Sequence, residues 1–284
     1  MISLKEVSKN YGKTKVFTNM DLTISQDKIY CLIGRNGAGK TTLMQLIAGK
    51  CEPSKGNVLV DNKIVNTFDR TQKVTFLEPG KKLFNIKLNE LIHFYSSTRD
   101  HYDIDLAREM LTQFELDGNK KYNQLSFGMK TMVSNVLALA DVNDVVLLDE
   151  PTLGFDPVIR QRFYQMVLKS YEKYPRIIII STNQVDEVYT ISDHVIMLHN
   201  GQFLLNEESS DISEKAYVIT GLTEAVQKAT EGLRILYQEE YDKYCKCYIF
   251  DQRVHILEDV EVMDATLQDI FISIVGGCGN EGIQ

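Results

Sequence analysis

Residues Gly34-Arg-Asn36-Gly37-Ala38-Gly39-Lys40-Thr41 carry a spacing that suits phosphate: G-x-x-x-x-G-K-[ST]. The glycines let the chain aim successive backbone N–H groups into one concavity. A helix starting there adds partial positive charge. The lysine brings an ammonium, and the hydroxyl that follows brings an oxygen ligand for Mg2+. A nucleotide polyphosphate is the expected ligand. Lys40 reaches its β- and γ-phosphates, Thr41 ligates Mg2+, and Thr42 follows in the first helical turn.

A second chemical cluster is Val145-Val-Leu-Leu-Asp149-Glu150, four apolar residues ending in two carboxylates. Asp149, at the C-terminal end of such a strand, is placed to hold Mg2+, directly or through water. Glu150, one residue on, is placed to polarise an attacking water as general base. On its own, such a string also fits a buried strand that merely stops at a charged loop. The phosphate-binding turn upstream favours the chemical reading.

The elements that position these residues are legible around them. Lys28 to Ile33 is apolar enough for a buried parallel strand, and Thr42 to Ala48 has helical spacing. Strand, glycine-rich turn and helix form the setting that a phosphate loop needs. Ile2 to Val7 and Phe17 to Ile24 read as strands about the turn at Asn10-Tyr11-Gly12, with further strands at Asn57 to Val60 and Lys73 to Leu77. Residues 87 to 140 are mostly helical, over Leu88 to Tyr95, Ile104 to Phe114 and Ser126 to Ala140. Alternation then resumes: strand Val145 to Leu148, helix Pro157 to Tyr171, strand Ile177 to Ser181 and helix Val185 to Ile191. His194 to Leu198 and Gln202 to Leu205 form a hairpin around Asn200-Gly201. The expected fold class is α/β: a parallel sheet wrapped by helices, with the block at 87–140 inserted into it.

Composition shifts after Leu205. Asn206 to Asp211 is polar and turn-like, which divides the chain into residues 1–206 and an accessory or regulatory α+β module at 212–284. In that module Leu222 to Gly232 and Ala265 to Val275 read as helices, and Tyr248 to Ile256 as a strand. The acidic run Glu258 to Val262 reads as a solvated edge.

The chain has 284 residues, enough for one large domain and a small one. Its net charge of −8 argues against a surface that coats nucleic acid. Cys31, Cys51, Cys245, Cys247 and Cys278 lack zinc-finger spacing, and Cys245-Lys-Cys247 reads as a surface strand. Reduced cytosolic thiols fit best. No signal peptide is visible, and no apolar run approaches the ~18 residues of a membrane span. Membrane contact is therefore expected only through a partner.

Leu125-Ser126-Phe-Gly128-Met129 opens a helix shortly before the Asp149-Glu150 strand. Leu-Ser-x-Gly is the core of the signature L-S-G-G-Q of ABC ATPases. Its position between a phosphate loop and an apolar strand ending in Asp-Glu makes residues 1 to 205 resemble an ABC-transporter nucleotide-binding domain, of the P-loop NTPase class. The resemblance implies ATP and Mg2+ as ligands and two such domains meeting head to tail. ATP joins the pair and hydrolysis releases it. Ser126 and Gly128 would offer a hydroxyl and an N–H to the γ-phosphate of the ATP held by the other domain. Tyr11 matches the aromatic that stacks on adenine, with a turn tyrosine packing on the sheet as its plain reading. Asp156, in Pro151-Thr-Leu-Gly-Phe-Asp156, would link the two sites across the dimer.

Two positions depart from the family pattern. The switch histidine is replaced by Asn183, in Ile180-Ser-Thr-Asn183-Gln184. An amide donates a hydrogen bond but carries no charge. The glutamine that senses Mg2+ and the membrane partner is replaced by Glu78, in Val74-Thr-Phe-Leu-Glu78. A carboxylate still ligates Mg2+ but repels a bare γ-phosphate. Together these suggest slow or tightly gated hydrolysis. The plain reading of Asn183 is a tolerated or an ATP-trapping substitution. His194 reads as structural.

With one nucleotide-binding domain and no membrane segment, the resemblance implies a separate cytoplasmic ATP-binding subunit at the inner face of the cell membrane. It would dock on ABC transporter membrane subunits and dimerise with itself or with a related ATP-binding subunit. The segments Leu125 to Lys130 and Glu150 to Pro157 and the tail Ala265 to Phe271 resemble bacterial exporters of the bacitracin-resistance and peptide-toxin type, with uptake systems as the other branch. The segment Lys81 to Ile86 reads either as part of the groove for the membrane subunit or as a plain surface loop. The alternative from another class is a soluble ABC-type ATPase that regulates a protein partner without transport. A small-molecule kinase would leave the signature unexplained.

Overall fold

The computed structural model describes residues 1–68, 73–78, 82–253 and 259–277. An antiparallel sheet comes first. It is built from β1 (Ile2–Tyr11), β2 (Thr14–Ile24), β4 (Lys55–Val60) and β5 (Lys63–Ile64) in the order β2-β1-β4-β5. Between them run β3 (Ile29–Ile33) and the eight-residue helix α1 (Lys40–Ile47). The central sheet adds β6 (Val74–Leu77), β7 (Val145–Asp149), β8 (Ile177–Thr182), β9 (His194–His199) and β10 (Gln202–Glu208) to β3, in the order β10-β9-β3-β8-β7-β6. All its pairings are parallel except the terminal hairpin of β9 and β10.

Residue chemistry explains this sheet. Every residue of β3, β7 and β8 is buried, which their near-continuous Val, Ile and Leu content allows. Strands covered on both faces need such runs rather than alternation. The helical insertion consists of α2 (Leu88–Thr98), α3 (Ile104–Gln113) and α4 (Phe127–Leu139), placed between the neighbouring strands β6 and β7. Residues Thr131 to Leu139 of α4 are all buried, as expected for a helix that is apolar on every side. Helices α5 (Pro157–Lys173) and α6 (Val185–Tyr189) flank β8.

The C-terminal residues fold as α7 (Ser209–Lys215), β11 (Ala216–Leu222), α8 (Thr223–Ala229), β12 (Ile235–Tyr241), β13 (Tyr244–Phe250), β14 (Val260–Asp264) and α9 (Leu267–Gly277). Their four strands form a separate antiparallel sheet, β12-β13-β11-β14. Here the sequence reading needs correction. The polar stretch 206–211 is not a turn: β10 runs to Glu208 and α7 starts at Ser209. The helix expected from Leu222 ends at Ala229, and β11, β12 and β14 were not foreseen. Cys245 and Cys247 do lie on a strand, but they are buried beneath α8 in a cluster with Tyr217, Ile219, Val226 and Ile249. Their position two apart on β13 puts both sulfurs on the covered face, 3.6 Å apart. Parts of the expected strand Tyr248 to Ile256 and of the run Glu258 to Val262, together with Cys278, lie outside the described residues.

Candidate functional site

Strand register brings the chemical residues together. Across β3, β8 and β7, Ile33 stands beside Thr182 and Asp149 beside Ser181. The three strands therefore end at one level, and the loops that leave them carry Gly34 to Lys40, Glu150 and Asn183. The turn's geometry depends on Gly39, whose φ of 107° belongs to the left-handed region; a Cβ there would stand 2.6 Å from the Phe17 ring. Gly37 also has positive φ, and Ala38 donates its N–H to the Arg35 carbonyl at 3.0 Å, which closes the turn.

Lys40 is buried and pointed into this turn. Its ammonium donates to the Gly34 carbonyl at 2.7 Å and to Asn183 Oδ1 at 2.8 Å, and lies 3.4 Å from Glu150 Oε1. The Asn183 amide in turn donates to Asn36 Oδ1 at 2.8 Å. The residue in the switch position thus bridges the lysine and the asparagine of the phosphate loop. Asp149 is held from both sides. Its Oδ2 accepts from the Thr41 hydroxyl at 2.7 Å and its Oδ1 from the Ser181 hydroxyl at 2.5 Å. Glu150 stands in the left-handed region with φ of 44°, its N–H bound to both oxygens of Ser181. Burial pushes the Glu150 carboxyl above its ordinary value, against the opposing pull of the Lys40 ammonium. It is therefore a stronger base than an exposed glutamate.

A cavity of about 290 Å³ opens over this group, lined by Tyr11, Val16, Arg35 to Gly37, Gly39 to Thr42 and Glu150. The Tyr11 ring is 47% exposed at its mouth, with one face against the Lys9 ammonium at 4.6 Å. The residues fit a nucleotide with Mg2+: an exposed ring, a glycine turn with its lysine, and a hydroxyl paired with a carboxylate. Among the described residues no three His, Cys, Asp or Glu side chains cluster for a metal. One hydroxyl and one carboxylate suit Mg2+ that takes its other oxygens from phosphate and water.

Glu78 is engaged by α1 and its C-terminal turn: it accepts from Gln45 at 3.2 Å and lies 3.7 Å from the Lys50 ammonium. Outside that cavity, Ser126 caps α4 by accepting from the Met129 N–H at 3.3 Å. Gly128 packs against the Gly154 backbone. Asp156 caps α5 by accepting from the N–H groups of Val158 and Ile159. Ser126, Gly128 and Asp156 thus form one surface with the loop after Glu150, without contributing to the cavity around Lys40. His194 pairs with Asn206 at 2.9 Å, a structural role. In the segment expected near a groove, Lys81 lies outside the described residues, while Phe84 is 61% exposed and packs edge-on against Phe94.

Two partners escaped the sequence. Ser181 was visible as the end of its strand, but its bond to Asp149 depends on register between strands far apart in the chain. The Asn36–Asn183 bond closes 147 positions, and no local pattern signals it.

Residues 17–153 match the family model described as "ABC transporter". The chain is 28% identical over 220 residues to the ABC transporter ATP-binding protein YtrB of Bacillus subtilis, covering 77% of this chain and 75% of that one. It is 25% identical over 210 residues to the lantibiotic transport ATP-binding protein SrtF of Streptococcus pyogenes, covering 73% and 91%. Its fold is similar to the dimeric post-hydrolysis structure of the ATP-binding cassette MJ0796 bound to ADP and Pi. That likeness has a TM-score of 0.65 at 24% identity, over 74% of this chain and 99% of that one. With the phosphate loop, the Asp149–Glu150 strand end and the signature helix assembled on this fold, the chain carries an ABC transporter ATP-binding domain.

Proposed function

We propose that this chain is the ATP-binding subunit of a transporter, which binds and hydrolyses MgATP at a head-to-tail dimer interface and drives export through separate membrane subunits. The observation that carries the reading is the meeting of Lys40, Asp149, Glu150 and Asn183 at the ends of three parallel strands. Lys40 and the N–H groups of Gly37, Gly39, Lys40 and Thr41 hold the phosphates, while the Ala38 N–H is taken up by the Arg35 carbonyl. Thr41 and Asp149 would hold Mg2+, which when bound neutralises phosphate charge. Glu150, with its raised basicity, takes the proton of the attacking water. Asn183 orients the site through its amide. Tyr11 offers its exposed ring to the base. Glu78, engaged by Gln45 and Lys50, would add a carboxylate to the Mg2+ side of the site.

Across the dimer, Ser126 and Gly128 would face the other subunit's nucleotide, and Asp156 would link the two sites. The same chain or a related one serves as partner. Among the described residues no helix is long and apolar enough to cross a membrane. The subunit is placed at the cytoplasmic face through its membrane partners, and nucleic acid is not among its ligands. The export reading draws on SrtF, named for lantibiotic transport. Residues 1–206 form the ATPase unit and 212–284 an accessory one.

The test is phosphate release by the purified chain with MgATP, with Glu150→Gln as control. Turnover that vanishes in the control supports the reading. A chain that binds no ATP overturns it, and ATP binding without turnover until membrane subunits are added overturns self-sufficient hydrolysis.

A further inference from the structure

Asn183 lies directly ahead of Gln184, the N-cap of α6. Whatever fixes α6 therefore fixes the amide that bridges Lys40 and Asn36. Besides strands β3 and β8 of the central sheet and the bonds of its Tyr189 to Ser209 and Ser213 of α7, two further elements hold this short helix. On one side, Arg160 of α5 pairs with Glu187 at 3.0 Å. On the other, the apolar face of α6 packs on the C-terminal helix α9. Val185 and Val188 share one buried cluster with Leu267 and Ile270, and Phe271 packs against it. That cluster also takes in Ile212, Ala216 and Phe250, so part of the C-terminal region is packed into the main core beside its own smaller cluster. Helix α9 also packs on β12, at the edge of the C-terminal sheet. Between the switch and α9 lies a cavity of about 410 Å³, lined by Asn183 and Gln184 on one wall and by Gln268, Phe271 and Ile272 on the other.

We propose that α9 is a positioning element for the ATP site: through Phe271 and its neighbours it holds α6, and with it Asn183, in register with Lys40 and Asn36. The inference rests on the reading of this chain as an ATPase. A five-residue helix has too few internal hydrogen bonds to hold its own place, so its position follows the surfaces packed on it. Packed cores switch between discrete arrangements rather than deforming smoothly. A shift of the C-terminal sheet that unseats α9 therefore reaches the phosphate loop through a single helix. The C-terminal sheet thereby acquires a route to turnover that needs no residue of its own in the cavity around Lys40.

The test uses the full chain with Phe271→Ala, Phe271→Leu and Asn183→Ala, alone and combined. Two readouts are taken: amide hydrogen exchange over 183–190 without nucleotide, and steady-state ATP turnover. The expected result for Phe271→Ala is faster exchange at 183–190 with α1 unchanged. Its kcat falls about tenfold while KM for ATP stays within about twofold, a smaller loss than the roughly hundredfold that a misplacement of about 1 Å can cost. Phe271→Leu restores both, and in the Asn183→Ala background Phe271→Ala changes kcat no further. Unchanged exchange at 183–190, a KM that rises in step with the fall in kcat, or a full loss of kcat that persists in the Asn183→Ala background each overturns the proposal. If Phe271→Ala does not fold, Ile272→Arg carries the same readouts, because Ile272 is 57% exposed beside the cavity. If the wild-type chain binds ATP but does not turn it over alone, self-sufficient hydrolysis fails and the exchange data alone decide the role of α9; if it binds no ATP, the functional reading fails.

Discussion

The Lys40 ammonium and the Asn183 amide oxygen stand 2.8 Å apart, and the Gly34 carbonyl and Glu150 are the lysine's other partners. Asn183 also gives its N–H to Asn36, so both halves of the amide are committed. Asparagine in this position exchanges hydrogen bonds but takes up no proton.

Asn183→His is expected to raise basal ATP turnover by about tenfold, which corresponds to about 1.4 kcal/mol of barrier. An imidazole offers one donor and one acceptor as the amide does, and it also accepts charge as the γ-phosphate departs. Phosphate release at saturating MgATP measures the change. A flat or reduced rate shows that the switch position does not limit turnover.

Ser181→Ala tests how Asp149 is held. Asp149 is buried, and its Oδ1 depends on the Ser181 hydroxyl at 2.5 Å. The same hydroxyl accepts the Glu150 N–H, so one substitution loosens both carboxylate residues. Leaving a buried acceptor unpaired costs about 1–3 kcal/mol. The expected outcome is a loss of that size in urea unfolding, together with a higher Mg2+ requirement for nucleotide binding. Unchanged stability and Mg2+ dependence would show that the Thr41 hydroxyl suffices for Asp149.

The reach of the sequence ended where contacts became non-local. The phosphate loop and the Asp149-Glu150 strand end were legible because their chemistry is written in consecutive residues on buried strands. The C-terminal sheet was not. β12 reads Ile-Leu-Tyr-Gln-Glu-Glu-Tyr, too acidic for a strand by composition, yet it pairs along β13, where Glu239 stands opposite Lys246. The cysteines of β13 looked exposed because a C-x-C string says nothing about α8, which covers that face. The departure at Asn183 was visible at once. Its bonds to Lys40 and Asn36 required the fold.

Gly128→Ala tests the surface shared by the signature helix and the loop after Glu150. A Cβ on Gly128 would stand 2.8 Å from the Gly154 carbonyl oxygen, closer than backbone atoms tolerate. The added methyl must separate α4 from the loop that carries Asp156. ATP binding by the single chain is expected to hold within about twofold, because Gly128 does not line the cavity around Lys40. Turnover is expected to fall about a hundredfold or more, the scale on which lost oriented donors cost catalysis. Equal losses in binding and turnover would place the defect in folding rather than in this surface.

His199 gives a prediction on the acid side. It ends β9 and is 8% exposed, and neither ring nitrogen has a hydrogen-bond partner among the described residues. Burial, and then the Arg35 guanidinium, hold its pKa below the ordinary 6.5. The unfolded chain therefore binds this proton before the native one does. Stability falls as pH drops through and below 6.5, and the fall stops once the native histidine also titrates. His199→Leu removes both the titration and two unpaired buried nitrogens, each of which costs about 1–3 kcal/mol. The variant is expected to be more stable than the parent at pH 7, with the gap widening toward pH 5.5. Thermal unfolding across that range measures it, and parallel stability curves for the two proteins would show that His199 is not a source of acid sensitivity.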